Sequence, residues 1–281
     1  MSERNPEEKF VTINGVNLRY VDWGSDGKTA MICLHGHTSQ SGIFREFAET
    51  MSDYYHVYTF DQRGHGGSEW ARDGYDRERF VEDLGEIINE LGLEKVILVG
   101  HSMGGWNSVL YTPKNQEVVE KIILVDIGME PSEQSILMRG KRPPTPTEFS
   151  SFDEAYNWAR QNNQWASDDR LRQDLGERLA EGKDGIWKWK ADPLLYSTPL
   201  RDMEDPESVK RLWDSFRSIT CPILEVRGTE SITLSDEVID KMIQANSNFV
   251  SVDVHGAAHT VSVDKPEDFI TVTKSFLGLN P

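Results

Sequence analysis

Ser102 has the neighbours that a reactive hydroxyl needs. It lies in Gly100-His101-Ser102-Met103-Gly104, a G-x-S-x-G pattern followed by a further Gly105. The preceding Val96, Ile97, Leu98 and Val99 form an apolar run too short for a helix and rich in β-branched types, so they read as a strand buried on both faces. Trp106 to Tyr111 continue as a helix. A serine on a tight strand-to-helix turn takes an unfavourable backbone conformation, and its neighbours must be nearly side-chain-free for the chain to pass. In that position the hydroxyl projects beyond the sheet, and the following helix aims its free N–H groups at the reacting atoms.

A serine hydroxyl is a poor nucleophile near neutral pH and needs a base beside it. Histidine titrates in the right range to take that proton and return it to a leaving group. Of the seven histidines, His259 is the best placed. It ends Gly256-Ala257-Ala258-His259, and small residues permit a loop that reaches back to the serine. His255, four residues earlier, is the alternative. Upstream, the apolar Thr29 to Leu34 run into His35-Gly36-His37. There Gly36 lets the His37 N–H turn inward as one donor to a developing oxyanion, with the Met103 N–H as the second.

Two further observations narrow the chemistry. No H-E-x-x-H or Cys-x₂-Cys pair is present, so no metal is expected. No G-x-G-x-x-G follows a strand, so no dinucleotide or other cofactor is expected either. The 30 basic and 47 acidic side chains give a formal charge of −17. That argues against nucleic acid or an anionic membrane as a partner, and the partner expected from the serine chemistry is a small-molecule substrate. No apolar run approaches the ~18–20 residues of a spanning helix. The charged MSERNPEEKF start shows no signal peptide. Cys33 and Cys221, each in or beside an expected core strand, read as buried free thiols in a reducing cytoplasm.

The elements that must carry these residues follow in chain order. Residues 1–8 read as a solvated arm. Lys9–Ile13 and Val16–Val21 flank Asn14-Gly15, a hairpin signal. Strands are expected at Thr29–Leu34, His56–Phe60, Val96–Val99, Lys121–Val125, Pro222–Val226 and Phe249–Val254. Helices are expected at Phe44–Met51, Tyr75–Leu91, around Val238–Ile243 and at Pro266–Leu277. The Tyr75–Leu91 helix carries an apolar stripe of Phe80, Leu84, Ile87, Ile88 and Leu91. Alternating strands and helices imply a mostly parallel sheet, and ligands in such sheets bind beyond the carboxyl ends of the strands. Loops 35–39 and 61–68, Ser102 and Asp126 all follow such ends.

From Met129 to Ser218 the pattern changes. No buried strand stands out. Prolines appear at Pro143-Pro144, Pro146, Pro193, Pro199 and Pro206, and tryptophans at Trp158, Trp165, Trp187, Trp189 and Trp213. Amphipathic patches near 151–165, 168–182 and 206–217 suggest a helical cap. The expected organisation is a core of residues 1–128 and 219–281 with a cap at 129–218. The tryptophans either line an apolar pocket or join the cap to the core.

Taken together, His35-Gly36, DQRGHGGS at 61–68, GHSMGG at 100–105 and GAAHTVSVDKPEDF at 256–269 resemble the α/β-hydrolase superfamily, in its serine-dependent, helically capped form. The resemblance spans essentially the whole chain. It implies an α/β-hydrolase fold and the chain order nucleophile, carboxylate, histidine. In most of the superfamily the carboxylate stands three residues beyond the glycine after the strand read here as Pro222–Val226. Gly228 places that position at Ser231, which cannot serve, and Glu230 is adjacent. Some members carry the acid one strand earlier, where Asp126 stands. Asp126, Glu230 and, less directly, Asp236 are therefore the candidate acids. A serine nucleophile excludes the aspartyl-ester chemistry of the epoxide hydrolases and haloalkane dehalogenases. What the resemblance implies is hydrolysis of a carboxylic ester or lactone through an acyl-enzyme. Its alternatives are a diketone carbon–carbon hydrolase and a non-enzymatic ligand receptor.

Overall fold

The computed structural model describes residues 6–24, 27–138, 141, 144–197 and 205–279. The first five residues of the expected arm, with Pro143 and Pro199, lie outside the described residues.

In chain order the elements are β1 (Glu7–Ile13), β2 (Val16–Asp22), β3 (Ala30–Leu34), α1 (Arg45–Met51), β4 (His56–Phe60), α2 (Arg77–Glu90), β5 (Val96–His101), α3 (Met103–Tyr111) and β6 (Val119–Val125). They continue as α4 (Glu133–Met138), β7 (Glu148–Phe149), α5 (Phe152–Asn162), α6 (Asp168–Arg178), β8 (Leu179–Glu181), β9 (Trp187–Trp189), α7 (Pro193–Ser197) and α8 (Pro206–Ser218). The chain closes with β10 (Ile223–Gly228), α9 (Asp236–Ala245), β11 (Phe249–Val254), α10 (Val261–Asp264) and α11 (Pro266–Phe276). A 3₁₀ turn at Ser41–Phe44 leads into α1.

The main sheet has eight strands in the order β1-β2-β4-β3-β5-β6-β10-β11. β1 and β2 pair antiparallel, as do β2 and β4, and the remaining neighbours are parallel. The hairpin turn is left-handed at both central residues, with φ of +49° at Asn14 and +77° at Gly15, as an Asn-Gly turn of this type requires. β1 starts inside the expected solvated arm. Its Glu8 carboxylate meets the Arg19 guanidinium at 2.7 Å across the pair, so the charges that read as solvation support a strand.

The central strands are buried on both faces, and their period of two splits the core. Ile32, Leu34, Val96, Leu98, Ile122 and Leu124 face one apolar cluster with Leu84, Ile87 and Ile88 of α2 and Trp106 and Val109 of α3. Met31, Cys33, Ile97, Val99, Ile123 and Val125 face the other, with Phe47 of α1 and Phe269 of α11. Each fully buried Val, Leu or Ile contributes about 1.5–3 kcal/mol, so the clusters hold the strand ends in register. Cys33 is buried as expected, whereas Cys221 is only half-buried.

Segment 129–218 differs from the expectation in one respect: it contains strands. β7, β9 and β8 form a three-stranded antiparallel sheet. Strands of two and three residues leave no readable alternation in a sequence. Their aromatic residues hold the unit together, with Phe149 edge-on to Trp189 at 5.5 Å and Phe152 edge-on to Trp187 at 5.2 Å. α5, α6 and this small sheet join the cluster that contains Phe47 and Phe269. Leu212, Trp213 and Phe216 of α8 join the opposite one, beside Trp106 and Met242.

Candidate active site

Parallel register brings the loops together. Leu34 is level with Gly100 across β3 and β5, His101 with Val125 across β5 and β6, and Val226 with Val125 across β10 and β6. The residues just past these strand ends are His35, Ser102, Asp126 and Thr229.

Ser102 has φ +49° and ψ −116°, a conformation most side chains avoid. The tight turn depends on absent side chains. A Cβ at Gly104 would meet the Leu34 carbonyl oxygen at 2.2 Å, and one at Gly100 would meet the Gly105 nitrogen at 2.4 Å. The four non-glycine residues with positive φ, among those described, are Asn14 in the hairpin, Thr38, Ser102 and Asp126. Three of the four therefore crowd the carboxyl edge of the sheet, where strain marks functional geometry.

His259 and Asp126 are in contact. The His259 Nδ1–H donates to Asp126 Oδ2 at 2.7 Å, which in the neutral ring puts the lone pair on Nε2. Asp126 is fully buried, and two other donors hold it: the Gly228 N–H on Oδ1 at 3.2 Å and the Ser231 hydroxyl on Oδ2 at 2.5 Å. Glu230 is exposed, and its carboxylate accepts from the Thr229 hydroxyl at 3.3 Å. Asp236 is bound to Arg227 at the start of α9. His255 is exposed beyond the end of β11. Of the three candidate acids, Asp126 alone is bonded to His259.

Ser102, His259, His37 and His101 line one cavity of about 350 Å³. Trp158, Trp165 and Leu171 contribute apolar wall, and Asn162, Asn163 and Arg178 polar wall. The cavity thus lies between the strand-end loops and α5–α6. Trp187 and Trp189 belong to the small sheet, and Trp213 packs on Phe216 in the core. The tryptophans therefore divide between both expected uses.

The loop after β3 is held by side chains on nearly every polar group. Gln62 Nε2 donates to the His35 carbonyl at 2.6 Å, and the Gln62 N–H donates to His35 Nε2 at 2.9 Å. His37 Nε2–H donates to the Leu195 carbonyl at 2.7 Å. The Thr38 N–H donates to His65 Nε2 at 3.0 Å, and His65 Nδ1–H donates to the Arg63 carbonyl at 2.8 Å. The His37 N–H has no acceptor among the described residues. Met103 opens α3, so its N–H lacks an intrahelical partner as well.

Burial sets the protonation of this edge. It pushes His35 down to about 4 and His101 and His65 well below the usual histidine range, and it lowers His37. These rings are neutral, each with one donor and one acceptor nitrogen. Burial and then the charge of Asp126 push Glu225, in the middle of β10, well above the usual carboxylate range. Its Oε1 accepts from the Ile127 N–H at 3.2 Å.

Sequence reasoning did not assign several of these contacts. Ser231 donates to Asp126 from the very position where a carboxylate was expected, and that coincidence was the available signal. Glu225 stood out as one carboxyl inside the apolar run PILEV. His101 donates through Nε2 to the His259 carbonyl at 2.9 Å. Asp264 accepts from the Ala258 N–H and from Asn163 Nδ2, at 2.9 and 2.8 Å. No local pattern announces either.

A family model described as alpha/beta hydrolase fold matches residues 29–265. The chain is 28% identical over 276 residues to a 3-hydroxybutyrate-oligomer hydrolase of Cupriavidus necator, covering 93% of each chain. It is 27% identical over 270 residues to a 2-(acetamidomethylene)succinate hydrolase of Mesorhizobium japonicum, covering 95% of this chain and 94% of that one. Among solved structures, E-2-(acetamidomethylene)succinate hydrolase superposes with a TM-score of 0.83 at 24% identity, covering 98% of this chain and 100% of that one. At that identity the superposition speaks for the fold alone.

Proposed function

The chain belongs to the α/β-hydrolase fold family, and from that premise we propose that it is a serine hydrolase of carboxylic esters or lactones. In this reading Ser102 is the nucleophile, His259 the base and Asp126 the acid. The observation that carries it is the 2.7 Å bond from His259 Nδ1 to a buried Asp126, on a cavity shared with the strained Ser102.

The chemistry follows from the protonation pattern. With its proton on Nδ1 and directed at Asp126, His259 accepts the Ser102 proton at Nε2 as Oγ attacks the carbonyl. Asp126 stabilises the imidazolium that results. The His37 and Met103 N–H groups hold the oxyanion, each worth roughly 10²–10³ in rate. His259 then protonates the leaving alcohol and activates a water that releases the acid. Residues 129–218 act as the cap that shapes the substrate side of the cavity. Its mixed wall suits a small, partly apolar ester. The esterase reading is supported by the 3-hydroxybutyrate-oligomer hydrolase among its relatives.

Rapid mixing with short-chain p-nitrophenyl esters tests it. We expect Ser102-dependent turnover, with a burst approaching one equivalent per chain if deacylation is slower than acylation. Ser102→Ala should lose about 10⁴-fold or more in kcat. Turnover that persists in Ser102→Ala, or none on any ester or lactone, would overturn the proposal.

A further inference from the structure

We infer that Arg178 is a positioning residue for the oxyanion donor, reaching the loop after β3 from the far side of the cavity. The inference rests on the serine-ester reading above and adds to it a residue outside the Ser102, His259 and Asp126 set.

Thr38 is the hinge of the argument. It is β-branched, yet its φ is +56°, a region where only glycine is comfortable. Such a residue stays there only if its surroundings over-determine it. Two side chains grip it from opposite sides. His65 Nε2 accepts the Thr38 N–H at 3.0 Å, and Arg178 Nη2 donates to the Thr38 carbonyl at 3.0 Å. Downstream the chain is fixed as well: the Ser39 N–H donates to the Gly36 carbonyl at 3.2 Å and the 3₁₀ turn begins two residues later. If Thr38 relaxed toward negative φ, the peptides on its amino side would rotate. Those peptides carry the His37 N–H.

The two grips have different origins. His65 belongs to the strand-end loops and is itself tied to the Arg63 carbonyl at 2.8 Å. Arg178 is the last residue of α6, in the segment that covers the cavity. Its guanidinium lies over the Trp189 ring at 4.8 Å and 3.4 Å from Asp174, so its aim is set inside that segment. The donor geometry at His37 therefore depends on α6 being seated. Arg178 also lines the cavity, which gives a rival use, pairing with a carboxylate on the substrate. Three lining carboxylates, Asp174, Asp264 and Glu230, against the one arginine disfavour an anionic substrate.

The experiment compares wild type, Arg178→Gln and Arg178→Lys on p-nitrophenyl butanoate and on mono-p-nitrophenyl succinate. The affinity of a trifluoromethyl ketone, which forms an oxyanion adduct with the serine, is measured alongside. Arg178→Gln should lower kcat about 10–100-fold on both esters, short of the full loss of a donor, with KM within about threefold. Ketone affinity should fall by the same factor, and Arg178→Lys should recover most of it by donating to the Thr38 carbonyl. In a Thr38→Gly background the cost of Arg178→Gln should shrink, because glycine holds the left-handed conformation without a clamp. That pair keeps the test open if Arg178→Gln alone does not fold. A loss confined to KM and to the succinate ester would make Arg178 a substrate ligand and overturn the inference. So would unchanged kcat, unchanged ketone affinity, or an equal cost in the Thr38→Gly background. Failure of the serine-ester reading would show instead as wild-type turnover that does not depend on Ser102.

Discussion

The two walls of the cavity are built on different principles. The strand-end wall is over-determined. Thr38, Ser102 and Asp126 hold positive φ, and buried neutral histidines and backbone donors fix the loops around them. The opposite wall, from α5, α6 and the turn between them, presents the apolar Trp158, Trp165, Ala159 and Leu171 beside the polar Asn162, Asn163, Asp174 and Arg178, so much of its surface is apolar. Nearby α4 has no buried residue, and Ile136 and Leu137 stand more than half exposed. Reaction geometry tolerates little displacement, so one wall needs directional bonds. Recognition of an apolar group depends on area, so the other needs shape.

Three measurements sharpen or break this contrast. The largest effect should come from the acid. Asp126→Asn should lower kcat by about 10³–10⁴, because it disturbs the imidazole tautomer and removes the imidazolium's counter-charge. Glu230→Gln should leave turnover within about threefold. The reverse ranking would move the acid to Glu230 and make the Asp126 contact structural.

Next in size is the apolar wall. Trp158→Ala and Trp165→Ala should each raise KM on a short-chain ester by roughly tenfold with kcat within about threefold, the ~1–2 kcal/mol of a lost apolar contact. A fall in kcat with KM unchanged would show that this wall also sets the geometry, and the distinction would fail.

The smallest effect is on stability against pH. His35 is held at about 4, and His65, His101 and His37 are also depressed, so the unfolded chain binds more protons than the folded one between pH 6.5 and about 4. Their contribution is complete above pH 6.5 and is lost as pH falls through that window. The melting temperature should fall between pH 7 and pH 4.5, and His35→Gln, which cannot take up that proton, should flatten the fall. A melting temperature independent of pH across the window would contradict the neutral, buried state of this edge.

Much of the strand-end wall was legible beforehand. Gly100, Gly104 and Gly105 around Ser102 are local consequences of a turn that leaves no room for side chains. Gly256 in the loop before His259 is local for a different reason, a left-handed φ of +71°. Gly92 ends α2 with φ +61°, where the chain needs a left-handed residue. The opposite wall was less legible. Two- and three-residue strands carry no periodicity, and Trp158 and Trp189 look alike in sequence although one lines the cavity and the other packs inside the small sheet.

The sequence by itself determined the alternation of strands and helices, the strained serine and the histidine loop, because each depends on residues a few positions apart. It also narrowed the acid to a few carboxylates. Only the tertiary structure bonds one of them, Asp126, to His259. The parallel register that sets Val125 beside Val226 puts Asp126 next to Gly228 and Ser231, and the loop after β11 then lays His259 on it. Glu230, one residue from the expected position, lines the cavity but is exposed and bonded to the Thr229 hydroxyl instead. Residues that neighbour one another only through the fold have no signature along the chain, as with the Arg178 contact with Thr38 across 140 positions and the His101 contact with His259 across 158.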